Sequence, residues 1–252
     1  MNIEVCEQDR TVFSFHVFIN VDFRFIFFTI PKIASTPWIQ LFLRLEGYKD
    51  WNADPHHRDG RPFLSDLSCS EIERYLNDPN WTKAVFFRDP AERLLSAYMD
   101  KIERGSYITK RLFNAGGGEI SLNQFVEVVS DENQITSDPR GLHGKTDPHW
   151  MPQYMVANLA KFLPCINFVG NFSRLQEDSR ALLKKVGAWE QFGRTGWGAE
   201  RKEAMFESNI AKNRTVASSQ VTERYSANLL ARIKTAYDND YRFLALCGLD
   251  FT

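Results

Sequence analysis

Two apolar runs in this chain lack the polar alternation of a half-exposed strand, and each breaks directly into a helix start. The first is Phe25-Ile26-Phe27-Phe28-Thr29-Ile30, followed by Pro31-Lys32-Ile33-Ala34-Ser35-Thr36-Pro37-Trp38. The second is Ala84-Val85-Phe86-Phe87-Arg88, followed by Asp89-Pro90-Ala91-Glu92-Arg93-Leu94-Leu95-Ser96-Ala97-Tyr98. A strand with no polar side must be covered on both faces, the situation of a parallel sheet between helices. Strands alternating with helices therefore predict an α/β fold with a central parallel sheet flanked by helices.

Both junctions carry groups that suit an anion. At the first, Thr36 then Pro37 reads as an N-cap followed by the first helical residue, because proline has no N–H to leave unpaired there. The amides and positive dipole end of such a helix attract anions. Lys32 adds an ammonium, and Ser35 and Thr36 add hydroxyls. A plain capped helix beside a surface lysine fits the local sequence equally well. The junction is not a nucleotide-binding P-loop of the Gly-x-x-x-x-Gly-Lys-Ser/Thr type, since no glycine lies between Ile30 and Trp38. Gly144-Lys145-Thr146 lacks the leading strand and first glycine, and Gly116-Gly117-Gly118 reads as a connection.

At the second junction, Asp89, Pro90 and Glu92 form a helix start: cap, proline, and an acid three residues after the cap. That gives the two acids a structural role. Arg88 stands at the carboxyl end of its strand, where open α/β sheets bind ligands. Its planar fork, like that of Arg93, matches phosphate oxygens. Pairing of either arginine with Asp89 or Asp100 is the competing reading.

Taken together, the junctions resemble those of sulfotransferases that use 3′-phosphoadenosine-5′-phosphosulfate, most closely the carbohydrate sulfotransferases of the chondroitin 4-sulfotransferase type. Pro31, Lys32, Thr36 and Trp38 match that family's Pro-Lys-x-x-x-Thr-x-Trp stretch, and Arg88 to Tyr98 matches its Arg-Asp-Pro-x-Glu-Arg-Leu-Leu-Ser-Ala-Tyr stretch. Ser121 to Val126, His149-Trp150-x-Pro152-Gln153, Phe168-Val169-Gly170 with Leu175 to Asp178, and Tyr225 to Phe243 follow in the family's order. The resemblance implies a P-loop NTPase-like sulfotransferase fold in a single domain, residues 1–252 with a core of about 21–246. It assigns the donor's 5′-phosphosulfate to Pro31, Lys32, Ala34, Ser35, Thr36 and Trp38, and its 3′-phosphate to Arg88 and Ser96, with Arg214 joining from a late loop. Lys32 doubles as a catalytic residue. No metal is implied. Ser35 stands where animal members often have cysteine, and Phe162 with Cys165 where they have a Cys-x-x-Cys pair.

Transfer to a hydroxyl also needs a base, and histidine titrates near neutrality. Of His16, His56, His57, His143 and His149, the resemblance favours His149, with Asp147 as the substitute. His16 lies in an alternating, strand-like run from Thr11 to Ile19 and is expected to be structural. The acceptor implied is a carbohydrate or other hydroxyl compound. A kinase-like phosphotransferase and a degenerate nucleotide-binding scaffold are the competing functions.

A net charge of −1 argues against bulk nucleic-acid binding. The stretch from Thr11 to Ile30 is interrupted by His16, Asn20, Asp22 and Arg24, so it predicts a hairpin turning at Asn20-Val21-Asp22 rather than a transmembrane segment. No secretory signal opens the sequence, and the four cysteines are scattered without metal spacing. These features lead to the expectation of a cytoplasmic protein; the alternative is the Golgi lumen or membrane, where animal relatives are anchored. Helices are expected at 37–45, 69–76, 90–104, 121–129, 174–186 and 223–246, and a further core strand at 166–170.

Overall fold

A computed structural model describes residues 2–54, 61–103, 120–130, 147–207 and 220–251. In chain order its elements are helix α1 (Glu7–Phe13), strands β1 (Val17–Asn20) and β2 (Phe25–Phe28), helices α2 (Ser35–Leu45) and α3 (Cys69–Asn77), strand β3 (Thr82–Phe87), helices α4 (Pro90–Ala97) and α5 (Leu122–Val129), strand β4 (Phe168–Asn171), and helices α6 (Leu175–Lys185), α7 (Ala227–Ala236) and α8 (Asp238–Leu246). The chain divides into two compact units, 1–87 with 157–213, and 88–156 with 214–252.

The first unit holds the sheet, in the order β1-β2-β3-β4. β1 and β2 form the expected antiparallel hairpin; β2, β3 and β4 run parallel. Alternate side chains explain the unbroken apolar runs. On one face Phe25 stacks on Phe42 of α2 at 5.0 Å and Phe27 on Trp38 at 4.3 Å. Phe28, one residue on, meets Phe13 of α1 at 6.1 Å and Phe162 at 6.4 Å. Both faces are dry, and each buried Phe contributes roughly 1.5–3 kcal/mol.

Several elements depart from expectation. The run from Thr11 to Ile19 is helical up to Phe13 and extended only from Val17. Asp9 decides this: its carboxylate accepts from the Cys6 amide at 2.9 Å, capping α1, and pairs with Lys161 at 2.6 Å. Helix α2 begins at Ser35, with Ala34 and not Thr36 as its N-cap residue. Pro37 is tolerated at the third position because the first turn's N–H groups have no partner inside the helix. The helix expected over 90–104 turns π-helical at Tyr98–Glu103. The closing helix is interrupted: Ser226 caps α7 through the Leu229 amide, and Tyr237 leaves helical geometry before α8. Ser68 caps α3 by accepting from the Glu71 amide, and Ser121, expected as the first residue of its helix, caps α5 by accepting from the Gln124 amide.

In the second unit, α4, α5 and α7 enclose Leu94, Leu95, Phe125, Val126, Trp150, Ile233 and Tyr237. Tyr98 sends its hydroxyl to the Ile120 carbonyl at 3.0 Å, and Tyr225 to that of Ala91 at 3.2 Å.

Gly170 of β4 pairs with Phe86 of β3, and a Cβ there would fall 2.4 Å from the Phe86 ring. Gly170→Ala is therefore expected to lower unfolding stability by about 1–3 kcal/mol through overpacking, read as a shifted urea midpoint at unchanged slope. An unshifted midpoint would contradict this packing.

Candidate active site

The first junction is built as a fixed turn between β2 and α2. The Thr29 amide and hydroxyl both donate to the His16 carbonyl, at 2.6 and 2.9 Å, which secures the strand end. Ile30 and Ile33 are buried and joined by an amide-to-carbonyl bond of 3.2 Å. Between and beyond them, Lys32 (φ 71°) and Ala34 (φ 53°) are left-handed although neither is glycine. Such residues cost of order 1–3 kcal/mol each and concentrate at ligand clamps. The consequence is directional: the isoleucines point into the core while Pro31, Lys32, Ser35 and Thr36 are half-exposed at the α2 start. Trp38 is fully buried among Phe27, Phe86 and Phe206, so its contribution is a rigid floor under the turn.

In the second unit, Asp89 caps α4 by accepting from the Glu92 amide at 2.8 Å, as the sequence predicts. Glu92 does more: its carboxylate takes the Arg88 Nε–H at 3.3 Å. Arg88 is 3% exposed, and burial pushes its guanidinium pKa down against the opposing pull of Glu92 and Asp89. Its main chain is clasped by Gln153, whose Oε1 accepts from the Arg88 amide at 3.1 Å and whose Nε2 donates to the Arg88 carbonyl at 2.8 Å. Ser96 is half-buried two turns further along α4.

Arg93 is 1% exposed and faces inward. Its Nη1 and Nη2 donate to the carbonyls of Met151 and Pro148, both at 2.7 Å. Neither Asp89 nor Asp100 is its hydrogen-bond partner in these contacts; Arg93 is a clamp on the His149-Trp150-Met151-Pro152-Gln153 segment. The same segment is held by Tyr237, which donates to the Trp150 carbonyl at 2.5 Å, and by Asp240, which accepts from Gln153 Nε2 and the Tyr154 amide, each at 3.1 Å. Gln153 and Asp240 lie inside the stretches that carry the family resemblance, which assigns them no role. The available signal is one polar residue set among aromatics in each of two distant stretches, Gln153 beside Trp150 and Tyr154, and Asp240 beside Tyr237 and Tyr241.

His149 and Asp147 come together as a pair. Asp147 Oδ1 bonds the His149 Nδ1 and accepts its amide at 2.8 Å, while the Asp147 carbonyl accepts from the amides of Trp150 and Met151. Burial alone would raise the Asp147 pKa, but the hydrogen bond and charge of His149 outweigh it and hold the carboxyl below its ordinary value. His56, His57, His143 and Arg214 lie outside the described residues.

The profile of the sulfotransferase family matches residues 15–245. The chain belongs to the sulfotransferase family. Membership implies a sulfate donor, and the α/β architecture fits the family's P-loop-like fold. Among curated relatives, carbohydrate sulfotransferase 14 of Danio rerio is 30% identical over 202 residues, covering 72% of this chain and 50% of the relative. The Mus musculus protein of the same name is 31% identical over 202 residues, covering 72% and 49%. Carbohydrate sulfotransferase 11 of Danio rerio is 24% identical over 249 residues, covering 85% and 66%. The chain thus spans about half the length of the first two relatives. No solved structure matches it significantly.

These relatives correct the expectation of a cytoplasmic setting, because carbohydrate sulfotransferases of this kind are Golgi-resident enzymes. The opening residues and the scattered thiols do not report compartment for a sequence covering half of its relatives. No helix among the described residues is long and apolar enough to cross a membrane.

The lowered Asp147 pKa fixes a pH signature. Its stabilisation is complete above the ordinary carboxyl pKa of about 4 and is lost as pH falls through the lower folded value. Asp147→Asn should be less stable than wild type at neutral pH, with the difference closing below about pH 4. Denaturant midpoints across the acid range test this, and a pH-independent gap would refute it.

Proposed function

We propose that this protein transfers the sulfuryl group of 3′-phosphoadenosine-5′-phosphosulfate to a hydroxyl of a carbohydrate acceptor. The observation that carries the reading is the β2–α2 turn, in which left-handed backbone at Lys32 and Ala34 presents a lysine and two hydroxyl residues at a helix start without any glycine. Its donor set is one that a phosphosulfate requires: an ammonium, hydroxyls and main-chain N–H groups. A 3′-phosphate in turn requires a fixed fork of N–H donors. Arg88, held at its Nε by Glu92, supplies one, and Ser96 adds a hydroxyl in the family's order along the chain.

The donor supplies an activated sulfuryl group attached to a good leaving phosphate. The protein's task is then positioning and charge stabilisation, as in phosphoryl transfer. Lys32 is assigned to the charge that grows on the leaving phosphate oxygen. Pro31, Ala34, Ser35 and Thr36 shape and line the turn, and Trp38 supports it. Arg214 is assigned to the donor's 3′-phosphate on the family pattern alone.

His149 is assigned as general base. With Nδ1 engaged by the Asp147 carboxylate, the neutral ring carries its proton on Nδ1 and its lone pair on Nε2. Nε2 is then the atom that takes the proton from the acceptor hydroxyl, and Asp147 stabilises the imidazolium that results. The curated relatives named carbohydrate sulfotransferase 14 and 11 support a carbohydrate as the acceptor class.

Calorimetric titration with adenosine 3′,5′-bisphosphate tests the donor assignment. Wild type should bind tightly, and Arg88→Ala should bind at least tenfold more weakly, about the value of a charge-assisted hydrogen bond. His149→Ala should retain wild-type binding and lose about 10²–10⁴ in turnover. Failure of the folded wild type to bind the bisphosphate would end the donor reading, and wild-type turnover in His149→Ala would remove His149 from the mechanism.

A further inference from the structure

We propose that Gln153, backed by Asp240, is a positioning residue that fixes Arg88 for its anionic ligand. This rests on the reading of Arg88 as the 3′-phosphate residue. Arg88 is the first residue beyond β3, whose last ladder pair is Phe87 with Asn171. There the Gln153 carboxamide accepts the Arg88 N–H and donates to the Arg88 C=O, a two-bond ring that copies one rung of a sheet. A side chain thus continues the strand's hydrogen bonding for one residue more, at the point from which the guanidinium springs.

The carboxamide has a single workable orientation. Nε2 has two hydrogens; one goes to the Arg88 carbonyl and the other to Asp240 Oδ2 at 3.1 Å. Flipping it would set an NH2 group against the Arg88 N–H, and a carbonyl against both the Arg88 C=O and the Asp240 carboxylate. Asp240 is in turn oriented by the Tyr154 amide on its other oxygen. Gln153 and Asp240 are both 0% exposed, so water does not compete for these bonds. The side chain of Arg88 is separately steered by Glu92 at Nε. Main chain and side chain are fixed by different partners, and Gln153 governs the first.

A loop anchor with no role at Arg88 would show the same hydrogen bonds, so the test must isolate the 3′-phosphate. Binding of adenosine 3′,5′-bisphosphate and of adenosine 5′-monophosphate is measured for wild type, Arg88→Ala, Gln153→Leu and the double variant, each checked for folding by circular dichroism. Gln153→Leu should weaken bisphosphate binding about tenfold and leave monophosphate binding unchanged. In the Arg88→Ala background it should cost nothing further. Asp240→Asn, which keeps one acceptor oxygen and nearly the same shape, should give a smaller loss of the same pattern, and it supplies the cycle if Gln153→Leu does not fold. Equal losses for both nucleotides, or a loss that persists in the Arg88→Ala background, would overturn the positioning role and leave the Arg88 assignment standing. A wild type that does not prefer the bisphosphate, or an Arg88→Ala that binds it normally, would overturn that assignment and this inference with it.

Discussion

The second unit is organised around two guanidinium groups taken out of water. Arg88 and Arg93 are 3% and 1% exposed. A buried charge without compensation costs several kcal/mol, so the surrounding chain is committed to supplying acceptors. Arg93 draws the carbonyls of Pro148 and Met151 onto α4, and the neighbouring Asp240 offsets its charge. Arg88 draws Glu92. Burial lowers both pKa values, yet an arginine starts so high that both remain charged. Arg93, Tyr237 and Asp240 each hydrogen-bond to the segment that follows His149 and hold its shape.

The two junctions are organised by different means. In the first unit the turn is strained, with left-handed Lys32 and Ala34 held by buried Ile30 and Ile33 and by the Thr29 bonds to His16. Its stability comes from the aromatic packing beneath it, where Phe27 and Trp38 stack. In the second, no residue from Arg88 to Glu92 is left-handed, and the organisation is electrostatic and hydrogen-bonded. On the proposed assignment, the first would meet the reacting phosphosulfate and the second the 3′-phosphate, which ask for charge stabilisation and for recognition respectively.

Local features were legible in the sequence because their causes are local. Unbroken apolar runs mark the parallel strands, and Asp89-Pro90 marks the α4 start. What escaped depends on partners distant in the chain. Helix α1 owes its form to Asp9, which also meets Lys161. On sequence alone Arg93 reads as a phosphate ligand or a partner of nearby acids, whereas its carbonyl partners lie 55 and 58 residues away. Gln153 reaches Arg88 across 65 residues and Asp240 across 87. The α2 start shifted by two residues because proline is acceptable anywhere in a first turn, so it marks the turn and not the cap.

On the proposed function this chain moves a sulfuryl group and does not merely hold a nucleotide. The most direct measurement incubates the protein with a donor carrying radiolabelled sulfate and a panel of glycosaminoglycan chains, and counts both label in carbohydrate and adenosine 3′,5′-bisphosphate released. Label is expected on at least one glycan, with one bisphosphate formed per sulfate transferred. Donor binding by the folded protein with no label on any carbohydrate, and no bisphosphate released, would contradict it and leave a nucleotide-binding scaffold.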